Sequence, residues 1–294
     1  MMSIALIGFG EVGQILADDI KDRAVLTVWD TQFADPAASP RRAATVRGLA
    51  LPASAVEAVA GADLILSAVT AAQTLAAAEA VAEGIAPGAR YLDLNSASPG
   101  QKAAAARAIG ARGGVYVEGA VMAPFPPKRL ATPILLGGPN GQAALPELAA
   151  LGFAGAKFFS ETLGQASAAK MCRSVMIKGI EALLTESLLA ARHYGVEQTV
   201  LTSLDDLLPG PDWPTLARYM ISRSLVHGRR RAEEMREVAR TVSEAGGPSW
   251  MSAATAVRQD WAPQFHTADR AETLTALLDA IRADAAFEQK DAAE

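Results

Sequence analysis

The sequence predicts two domains of different class: an α/β domain with a doubly wound, mainly parallel sheet, and an all-α domain joined to it by a long helix. Two observations support this prediction. Up to about residue 160, short apolar runs alternate with helical patterns, which is typical of parallel strands covered by helices on both faces. After Gly164, only helical periodicity follows. We therefore expect domains at residues 1–163 and 164–294.

The first domain begins with a strand over residues 4–7, a glycine-rich turn, a helix, and a second strand over residues 25–29. Further strands are expected within 63–69 and over 90–94, 115–117, 134–136 and 156–159, with helices over 54–60, 74–83, 101–109 and 141–151. Ligands of such sheets bind beyond the carboxyl ends of the strands. These ends carry residues 8–13, 30, 69–70, 95–96 and 118–124.

The second domain begins with a predicted helix over residues 165–194, which carries an apolar stripe and ends at Gly195. Shorter helices are expected around 197–208, 214–225, 227–245, 249–261 and 268–287, separated by breaks at 209–211 and 246–248. The single cysteine, Cys172, lies within the first helical pattern. We interpret it as a buried small residue rather than a nucleophile.

The turn after the first strand is the most informative motif in the chain. It reads Gly8-Phe9-Gly10-Glu11-Val12-Gly13 and leads directly into a helix. In this pattern the first glycine allows a tight turn, the second lets the backbone approach a pyrophosphate, and the third lets helix and strand pack closely. The pyrophosphate then binds the positive helix N-terminus, so we expect the Glu11 side chain to point outward. The motif predicts a dinucleotide site of the Rossmann type.

The acid that follows the second strand indicates which dinucleotide binds. Asp30 lies where a carboxylate can accept hydrogen bonds from the adenosine ribose, and it would repel a 2′-phosphate. Arg41, Arg42 and Arg47 follow in a Pro- and Ala-rich segment that we expect to be a loop, and they could bind such a phosphate. We expect NAD, with NADP as the alternative.

Composition excludes several other classes of function. The net charge of −5 gives no reason to expect nucleic acid or an anionic membrane as a partner. No apolar stretch approaches the ~20 residues of a membrane span, and no signal-like segment precedes the first strand, so we expect a cytoplasmic protein. One cysteine excludes an internal disulfide, and three scattered histidines give no support for a metal site.

Three segments resemble the β-hydroxyacid dehydrogenases, a family related to 6-phosphogluconate dehydrogenase. The glycine-rich turn matches the family's cofactor loop. Residues 93–99, Asp-Leu-Asn-Ser-Ala-Ser-Pro, resemble the D-x-S-T-x-x-P segment near the nicotinamide, and residues 164–170 match G-x-G-x-x-x-K with alanine at the second glycine. The resemblance covers essentially the whole chain. It implies a Rossmann domain, a connecting helix, and a helical domain that pairs in a homodimer.

Two segments depart from the family pattern. The substrate loop D-A-P-V-S-G-G is replaced by residues 118–124, Glu-Gly-Ala-Val-Met-Ala-Pro, and the asparagine four residues after the lysine is Ser174. Both changes resemble a subgroup whose C-terminal domain was long described as of unknown function. That subgroup also has a segment similar to residues 227–235. The departures concern the substrate more than the chemistry.

The resemblance implies roles for individual residues. Lys170 is expected to act as general base in oxidation and general acid in reduction, with Ser96 and Ser174 assisting it. Because they lie four residues apart, Lys170 and Ser174 share one helix face. Contacts with the cofactor are expected from Val69, Thr70 and Asn95, and contacts with the substrate from Met122, Ala123, Pro124, Lys178 and His227.

Structural roles without a part in catalysis or binding remain open for several of these residues. Ser174 could simply pack, Lys178 could lie at the surface, and His227 could belong to a salt-bridged helix face or a dimer interface. Asn95 and Ser96 could cap the helix that follows Pro99.

Three functions fit the sequence. The first is an NAD(P)-dependent dehydrogenase that acts on a hydroxy acid or reduces the matching carbonyl compound. The second is an imine reductase, although relatives with that activity generally replace the lysine. The third is a nicotinamide-binding protein without turnover, and only the altered substrate loop favours it.

Overall fold

A computed structural model describes residues 1–207, 210 and 212–291 of the chain. The chain forms two compact units, an N-terminal unit of Met1–Cys172 and a C-terminal unit of Arg173–Glu294. The domain boundary expected between residues 163 and 164 stays a prediction.

The N-terminal unit is built on a seven-stranded sheet. Its strands are β1 (Met2–Ile7), β2 (Ala24–Trp29), β3 (Leu64–Ser67), β4 (Arg90–Asp93), β5 (Val115–Val121), β6 (Ile134–Gly137) and β7 (Ala156–Ser160). The strand order is β2-β1-β3-β4-β5-β6-β7, and every neighbouring pair is parallel except β5 and β6. The predicted doubly wound, mainly parallel sheet is confirmed.

Six helices of this unit connect the strands. They are α1 (Glu11–Ile20), α2 (Ser39–Val46), α3 (Ala55–Val59), α4 (Thr74–Ala82), α5 (Pro99–Gly110) and α6 (Gly141–Leu151). The predicted serine cap of α3 is present, because the Ser54 hydroxyl accepts a hydrogen bond from the Glu57 N–H at 3.1 Å.

Both faces of the sheet are buried, as the alternation of side chains along β1 illustrates. Ile4 and Leu6 belong to the apolar cluster on one face, and Ala5 and Ile7 belong to the cluster on the other. The register aligns Ile7, Ser67 and Asp93, the last residues of β1, β3 and β4, with Glu118, the fourth residue of β5 and the last that pairs with β4. These four residues therefore form one edge of the parallel part of the sheet, and the last two, Asp93 and Glu118, are buried acids.

The segment that carries Arg41, Arg42 and Arg47 differs from the prediction. It was expected to be a loop, but Ser39–Val46 forms α2 and Arg47 is its C-cap residue. The proline of this helix lies in the first turn, where its missing N–H has no partner to lose.

Among its described residues, the C-terminal unit contains helices joined by short turns and no strand. The connecting helix α7 (Gln165–Tyr194) runs into it, and α8 (Glu197–Leu207), α9 (Trp213–Glu244), α10 (Trp250–Trp261) and α11 (Leu274–Asp291) follow. As predicted, α7 ends at Gly195, which has a φ of 70°. Leu188, Ile221, Leu277 and other buried residues of these helices form a separate core.

Two helix boundaries in this unit were predicted wrongly. Residues 214–225 and 227–245 form one helix, α9, and the last predicted helix begins at Leu274 rather than 268, after a 3-10 segment at Ala262–Arg270. Gly228 lies inside α9, and glycine is needed there because a Cβ would lie 2.3 Å from the Gln259 carbonyl oxygen. The breaks predicted at Pro209 and Pro211 lie outside the described residues.

The exposure of α7 also differs from the prediction. Cys172 is exposed rather than buried. Two further residues of the predicted apolar stripe, Met176 and Leu183, are 63% and 57% exposed. The apolar stripe on α7 is therefore wider than the part of the helix surface that is buried within this chain.

Candidate active site

The glycine-rich turn between β1 and α1 has the close contacts that its first and third glycines predict. Gly8 has a φ of +92°, and a Cβ there would lie 2.4 Å from the Ala68 carbonyl oxygen. A Cβ on Gly13 would lie 2.1 Å from the Gly8 carbonyl oxygen. Both positions therefore require glycine for the turn to pack against β3 and α1.

The second glycine of the turn faces open space. A Cβ on Gly10 would meet no atom within 4 Å, and Gly10 is the N-cap residue of α1 with no side-chain cap. Glu11 is exposed, as expected, and Phe9 is buried in the core while Val12 is half-buried. The uncapped helix N-terminus and the space above Gly10 fit a pyrophosphate group.

Asp30 is held facing this turn by two hydrogen bonds. Its Oδ2 atom accepts from the Phe9 N–H at 2.8 Å, and its Oδ1 atom accepts from the Gln32 N–H at 2.9 Å. The carboxylate is partly exposed, so its remaining acceptor capacity is available to the hydroxyls of a ribose.

Two of the three nearby arginines are engaged within the protein. Arg41 donates to the Phe33 carbonyl oxygen, and the Arg47 Nε atom lies 2.8 Å from Asp18 Oδ1. The hydrogen bonds from Arg47 lower the pKa of the Asp18 carboxyl. These contacts hold Arg47 against α1 and Arg41 against the segment that follows β2.

Asn95 connects the loops that follow β3 and β4. Its Oδ1 atom accepts from the Val69 N–H at 2.7 Å, and its Nδ2 atom donates to Ser67 Oγ at 2.9 Å. Thr70, beside Val69, is exposed at the start of a short 3-10 turn. The structure thus brings Val69 and Asn95 together, and the amide of Asn95 fixes the spacing of the two loops.

A buried ion pair between Lys102 and Asp93, which was not predicted from the sequence, supports these loops. The Lys102 ammonium, with 0% exposure, lies 2.8 Å from Asp93 Oδ1, and Asp93 Oδ2 accepts from the Tyr116 hydroxyl at 2.7 Å. Burial and the neighbouring Asp93 carboxylate raise the pKa of Tyr116, so its hydroxyl stays protonated and donates. Asp93 also accepts from the Asn95 N–H at 2.9 Å. The sequence feature that could have indicated this pair is Asp93, an acid at the end of a strand.

Lys170 and Ser96, which are 74 residues apart in sequence, are in contact. The Lys170 Nζ atom donates to Ser96 Oγ. The N-cap of α5 is Ser98, whose hydroxyl accepts from the Gln101 N–H at 3.3 Å, and not Ser96. The Ser96 hydroxyl is therefore placed against the lysine instead of a helix end.

Glu118, the last residue of β5 that pairs with β4, holds the beginning of α7. Its Oε2 atom accepts from the Gly164 N–H at 2.7 Å, and its Oε1 atom accepts from the Ser167 N–H at 2.6 Å. The side chain is fully buried. The sequence analysis placed Glu118 at the head of the substrate loop but gave the residue itself no role.

The Met122–Pro124 segment follows β5 at the side of the sheet next to β6. The Met122 N–H donates to the Pro133 carbonyl oxygen at 2.9 Å, and the side chains of Met122 and Ala123 are partly exposed. Met122 lines a shallow groove together with Ile134 and Lys157. The segment offers apolar contacts in a backbone that is fixed at one end.

In the C-terminal unit, Ser174 and Lys178 belong to a buried polar seam between α7 and α9. The Lys178 Nζ atom lies 2.6 Å from Glu234 Oε2 and 3.3 Å from Ser174 Oγ. Lys178 is thus neither at the surface nor unpaired. This pairing supports the expectation of a salt-bridged helix face for this segment.

The same seam fixes the position of His227 within the unit. Glu181 follows Lys178 by about one turn on α7 and pairs with Arg231, which precedes Glu234 by about one turn on α9. The two helices therefore run in opposite directions along the seam. His227 lies one turn before Arg231 and is therefore at the far end of the seam from Lys178.

The described residues show neither a metal cluster nor a membrane-spanning helix. Among the described residues, no three His, Cys, Asp or Glu side chains are grouped so that they could hold a metal ion. In the same part of the chain, no helix combines the length and apolar character needed to cross a bilayer.

Two family models match the chain. Residues 3–144 match the NAD binding domain of 6-phosphogluconate dehydrogenase, and residues 191–262 match a domain of unknown function, DUF1932. The first match spans β1 to α6 and includes the glycine-rich turn, Asp30 and Ser96. The chain therefore carries an NAD(P)-binding domain.

Solved structures with the same fold fall into three groups. A conserved hypothetical protein from Sinorhizobium meliloti 1021 is 39% identical, with 95% of this chain and 97% of that chain covered and a TM-score of 0.73. A Mycobacterium tuberculosis 3-hydroxyisobutyrate dehydrogenase with L-serine is 18% identical over 96% and 100%, with a TM-score of 0.70. A Streptomyces aurantiacus imine reductase is 20% identical over 95% and 99%, with a TM-score of 0.54. The last two likenesses establish the fold and no more.

Proposed function

Because this chain belongs to the 6-phosphogluconate dehydrogenase-like superfamily of NAD(P)-binding oxidoreductases, in the subgroup with a DUF1932 domain, we propose that it is a dehydrogenase. It oxidises the hydroxyl of a hydroxy acid or reduces the matching carbonyl compound. The observation that carries this proposal is the contact between Lys170 and Ser96 at the sheet edge that also carries the glycine-rich turn. A dehydrogenase needs one proton-transfer group at the substrate oxygen, and this pair supplies it.

The N-terminal unit provides the residues that would hold the cofactor. The backbone of Gly8 to Gly13 and the N-terminus of α1 would bind the pyrophosphate, and Asp30 would bind the adenosine ribose. Val69 and Thr70 would line the cofactor farther along the sheet edge. When bound, the nicotinamide supplies the hydride acceptor or donor.

Lys170 would transfer the proton. As a neutral amine it accepts the proton of the substrate hydroxyl during oxidation, and as an ammonium it returns the proton during reduction. Ser96 accepts a hydrogen bond from Lys170, so its own O–H can point to the substrate oxygen. The pair would fix both the position of the oxygen and the path of the proton.

The Met122–Pro124 segment supports a proposal about substrate class. Its side chains are apolar where the family has serine and glycines, so we expect a bulkier or less polar substrate than the smallest hydroxy acids. Initial rates with NAD and NADP over a panel of 3-hydroxy acids, sugar acids and aryl-substituted hydroxy acids test the function. Cyclic imines with NADH and NADPH belong in the same panel. Turnover of imines alone would replace the proposal with imine reduction.

Asp30 should select NAD over NADP. Replacing it with serine removes a carboxylate that would face the 2′-phosphate, while a hydroxyl remains to accept one backbone N–H. Two like charges about 4 Å apart repel by about 4 kcal/mol at an effective dielectric constant of 20. Solvent screening at this half-buried carboxylate reduces that repulsion. We therefore expect the ratio of NADP to NAD affinity, measured by calorimetry, to rise about 100-fold, which corresponds to about 2.8 kcal/mol.

Asp35 provides the matched control, because it is an exposed acid of the same segment whose Oδ1 atom accepts from the Ala37 N–H at 2.8 Å. Asp35→Ser should leave the ratio unchanged. An unchanged ratio in Asp30→Ser would show that another residue reads the ribose.

The exposed apolar side chains of the helical unit support a homodimer. Met176 and Leu183 lie two turns apart on α7, and Tyr219 and Val226 have the same spacing on α9. Exposed apolar patches of this kind mark interaction surfaces. Light scattering should give twice the chain mass of 30.6 kDa for the wild type.

A single charge on this surface should disrupt the dimer. In Leu183→Glu we expect the monomer mass, because a buried unpaired carboxylate costs several kcal/mol. Val46→Glu, on the exposed face of α2 in the other unit, is the control and should remain dimeric. A wild-type protein with the mass of one chain would refute the dimer.

A further inference from the structure

We propose that Glu118 is a positioning residue for Lys170: its carboxylate fixes the first turn of α7 and thereby sets where the lysine amine meets Ser96. The inference rests on the proposed function of Lys170. The hydrogen bonds of Glu118 go to backbone N–H groups at the start of α7 and not to the side chain of Lys170 or Ser96. Its role would be exerted through the backbone of the helix.

The hydrogen bonds of Glu118 are the basis of this inference. The carboxylate is fully buried and accepts from the Gly164 and Ser167 N–H groups at 2.7 Å and 2.6 Å. These are orphan donors of a helix start, and a carboxylate there also interacts favourably with the positive end of the helix dipole. Charge-assisted bonds of this length are strong and directional. Lys170 lies three residues after Ser167, so it is carried by the turn of α7 that directly follows the fixed one.

A glycine on the neighbouring strand makes room for the carboxylate. Gly137 of β6 is the antiparallel partner of Glu118, and a Cβ there would lie 2.4 Å from Glu118 Oε2. The same Cβ would lie 3.2 Å from the Cβ of Ala166 in the first turn of α7. The space between β5, β6 and α7 is therefore fitted to an acid the length of glutamate.

Glu118 has a counterpart on the other side of the pair. Asp93, its register partner on β4, accepts from the Asn95 N–H at 2.9 Å and so fixes the loop that carries Ser96. Two neighbouring strands thus carry buried acids at matching register positions, and each acid holds the segment that carries one member of the Lys170–Ser96 pair. A small displacement of either side changes the distance between the two atoms, and a 1 Å misplacement can cost about 10²-fold in rate.

Two variants move the carboxylate in different ways. Glu118→Gln keeps the shape of the side chain, but its NH₂ group would face one of the two helix N–H groups, which would lose its acceptor. Gly137→Ala keeps the charge and pushes the carboxylate away from α7. Glu147→Gln is the matched control, because Glu147 is a partly buried acid of α6 that pairs with Arg90.

The primary measurement is independent of turnover. The chain has only seven lysines, so the side-chain NMR signals of a lysine-labelled protein can be resolved and Lys170 assigned from Lys170→Arg. Ser96→Ala defines the signal of a lysine that has lost its partner. In Glu118→Gln and Gly137→Ala we expect the Lys170 signal to shift toward that of Ser96→Ala, and in Glu147→Gln we expect no shift.

The kinetic measurement follows once a substrate is known. We expect kcat to fall about 10- to 100-fold in both variants while the dinucleotide Kd stays unchanged, because the glycine-rich turn is not touched. If either folded variant leaves the Lys170 signal at its wild-type position, the proposal is overturned. A shifted signal in a protein that turns over no substrate would retain the positioning role and refute the dehydrogenase.

Discussion

Replacing Lys170 with alanine is expected to reduce turnover about 10³-fold while dinucleotide binding persists. A positioned general acid or base contributes about 10²- to 10⁴-fold, and in this chain the lysine amine is held against Ser96 by a direct hydrogen bond. The cofactor turn is built from Gly8, Gly10 and Gly13 and makes no use of the lysine. Initial rates and calorimetric titration with NAD measure the two effects separately.

Two further lysine variants make the result specific. Lys170→Arg keeps the positive charge and several N–H donors but cannot give up a proton, so we expect it to be nearly as inactive as alanine. Lys21→Ala, at the exposed C-terminal end of α1, should behave as wild type. Full activity in Lys170→Arg would show that the lysine acts as a fixed charge rather than as an acid and base.

Replacing Gly10 with valine should weaken dinucleotide binding strongly and leave the fold intact. Gly10 has an extended backbone with a φ of −73°, which any residue can adopt, and its Cβ would meet no protein atom within 4 Å. The new side chain would therefore occupy only the space assigned to the pyrophosphate. Losing one or two hydrogen bonds to a charged phosphate costs about 1.5–3 kcal/mol each, so we expect binding about 100-fold weaker.

Gly13 should behave in the opposite way. A Cβ there would lie 2.1 Å from the Gly8 carbonyl oxygen, so Gly13→Ala forces α1 away from the turn. Overpacking of this kind costs about 1–3 kcal/mol, and we expect a lower Tm by thermal denaturation as well as weaker binding. If Gly10→Val bound NAD as tightly as wild type, the pyrophosphate would have to bind elsewhere.

Pairing within the helical unit bears on the substrate. Lys178 is bound to Glu234 and Ser174, so an anionic substrate group would have to compete with a carboxylate already in place. His227 lies at the other end of the same seam. The acid group of a substrate is therefore better sought near the Lys170–Ser96 pair and the Met122–Pro124 segment.

Much of the fold could be predicted from local patterns. Each strand of the N-terminal unit is a short apolar run, and its position follows from that run alone, as at Leu64–Ser67. The glycine-rich turn could be predicted because each glycine has a distinct steric role, which Gly8 and Gly13 confirm. Helix ends were harder. The segment of Pro40 was predicted to be a loop but forms α2, and the two helices predicted over residues 214–225 and 227–245 form one helix, α9.

The domain classes and the dinucleotide turn could be read from composition, periodicity and spacing along the chain, and the resemblance to the β-hydroxyacid dehydrogenases indicated the candidate residues Lys170 and Ser96. Only the tertiary structure decided that Lys170 meets Ser96, that Asp93 pairs with Lys102, and that Glu118 caps α7. The physical reason is that a buried charge must find its partner across the sheet, and that partner is set by strand order and register rather than by neighbours in the chain.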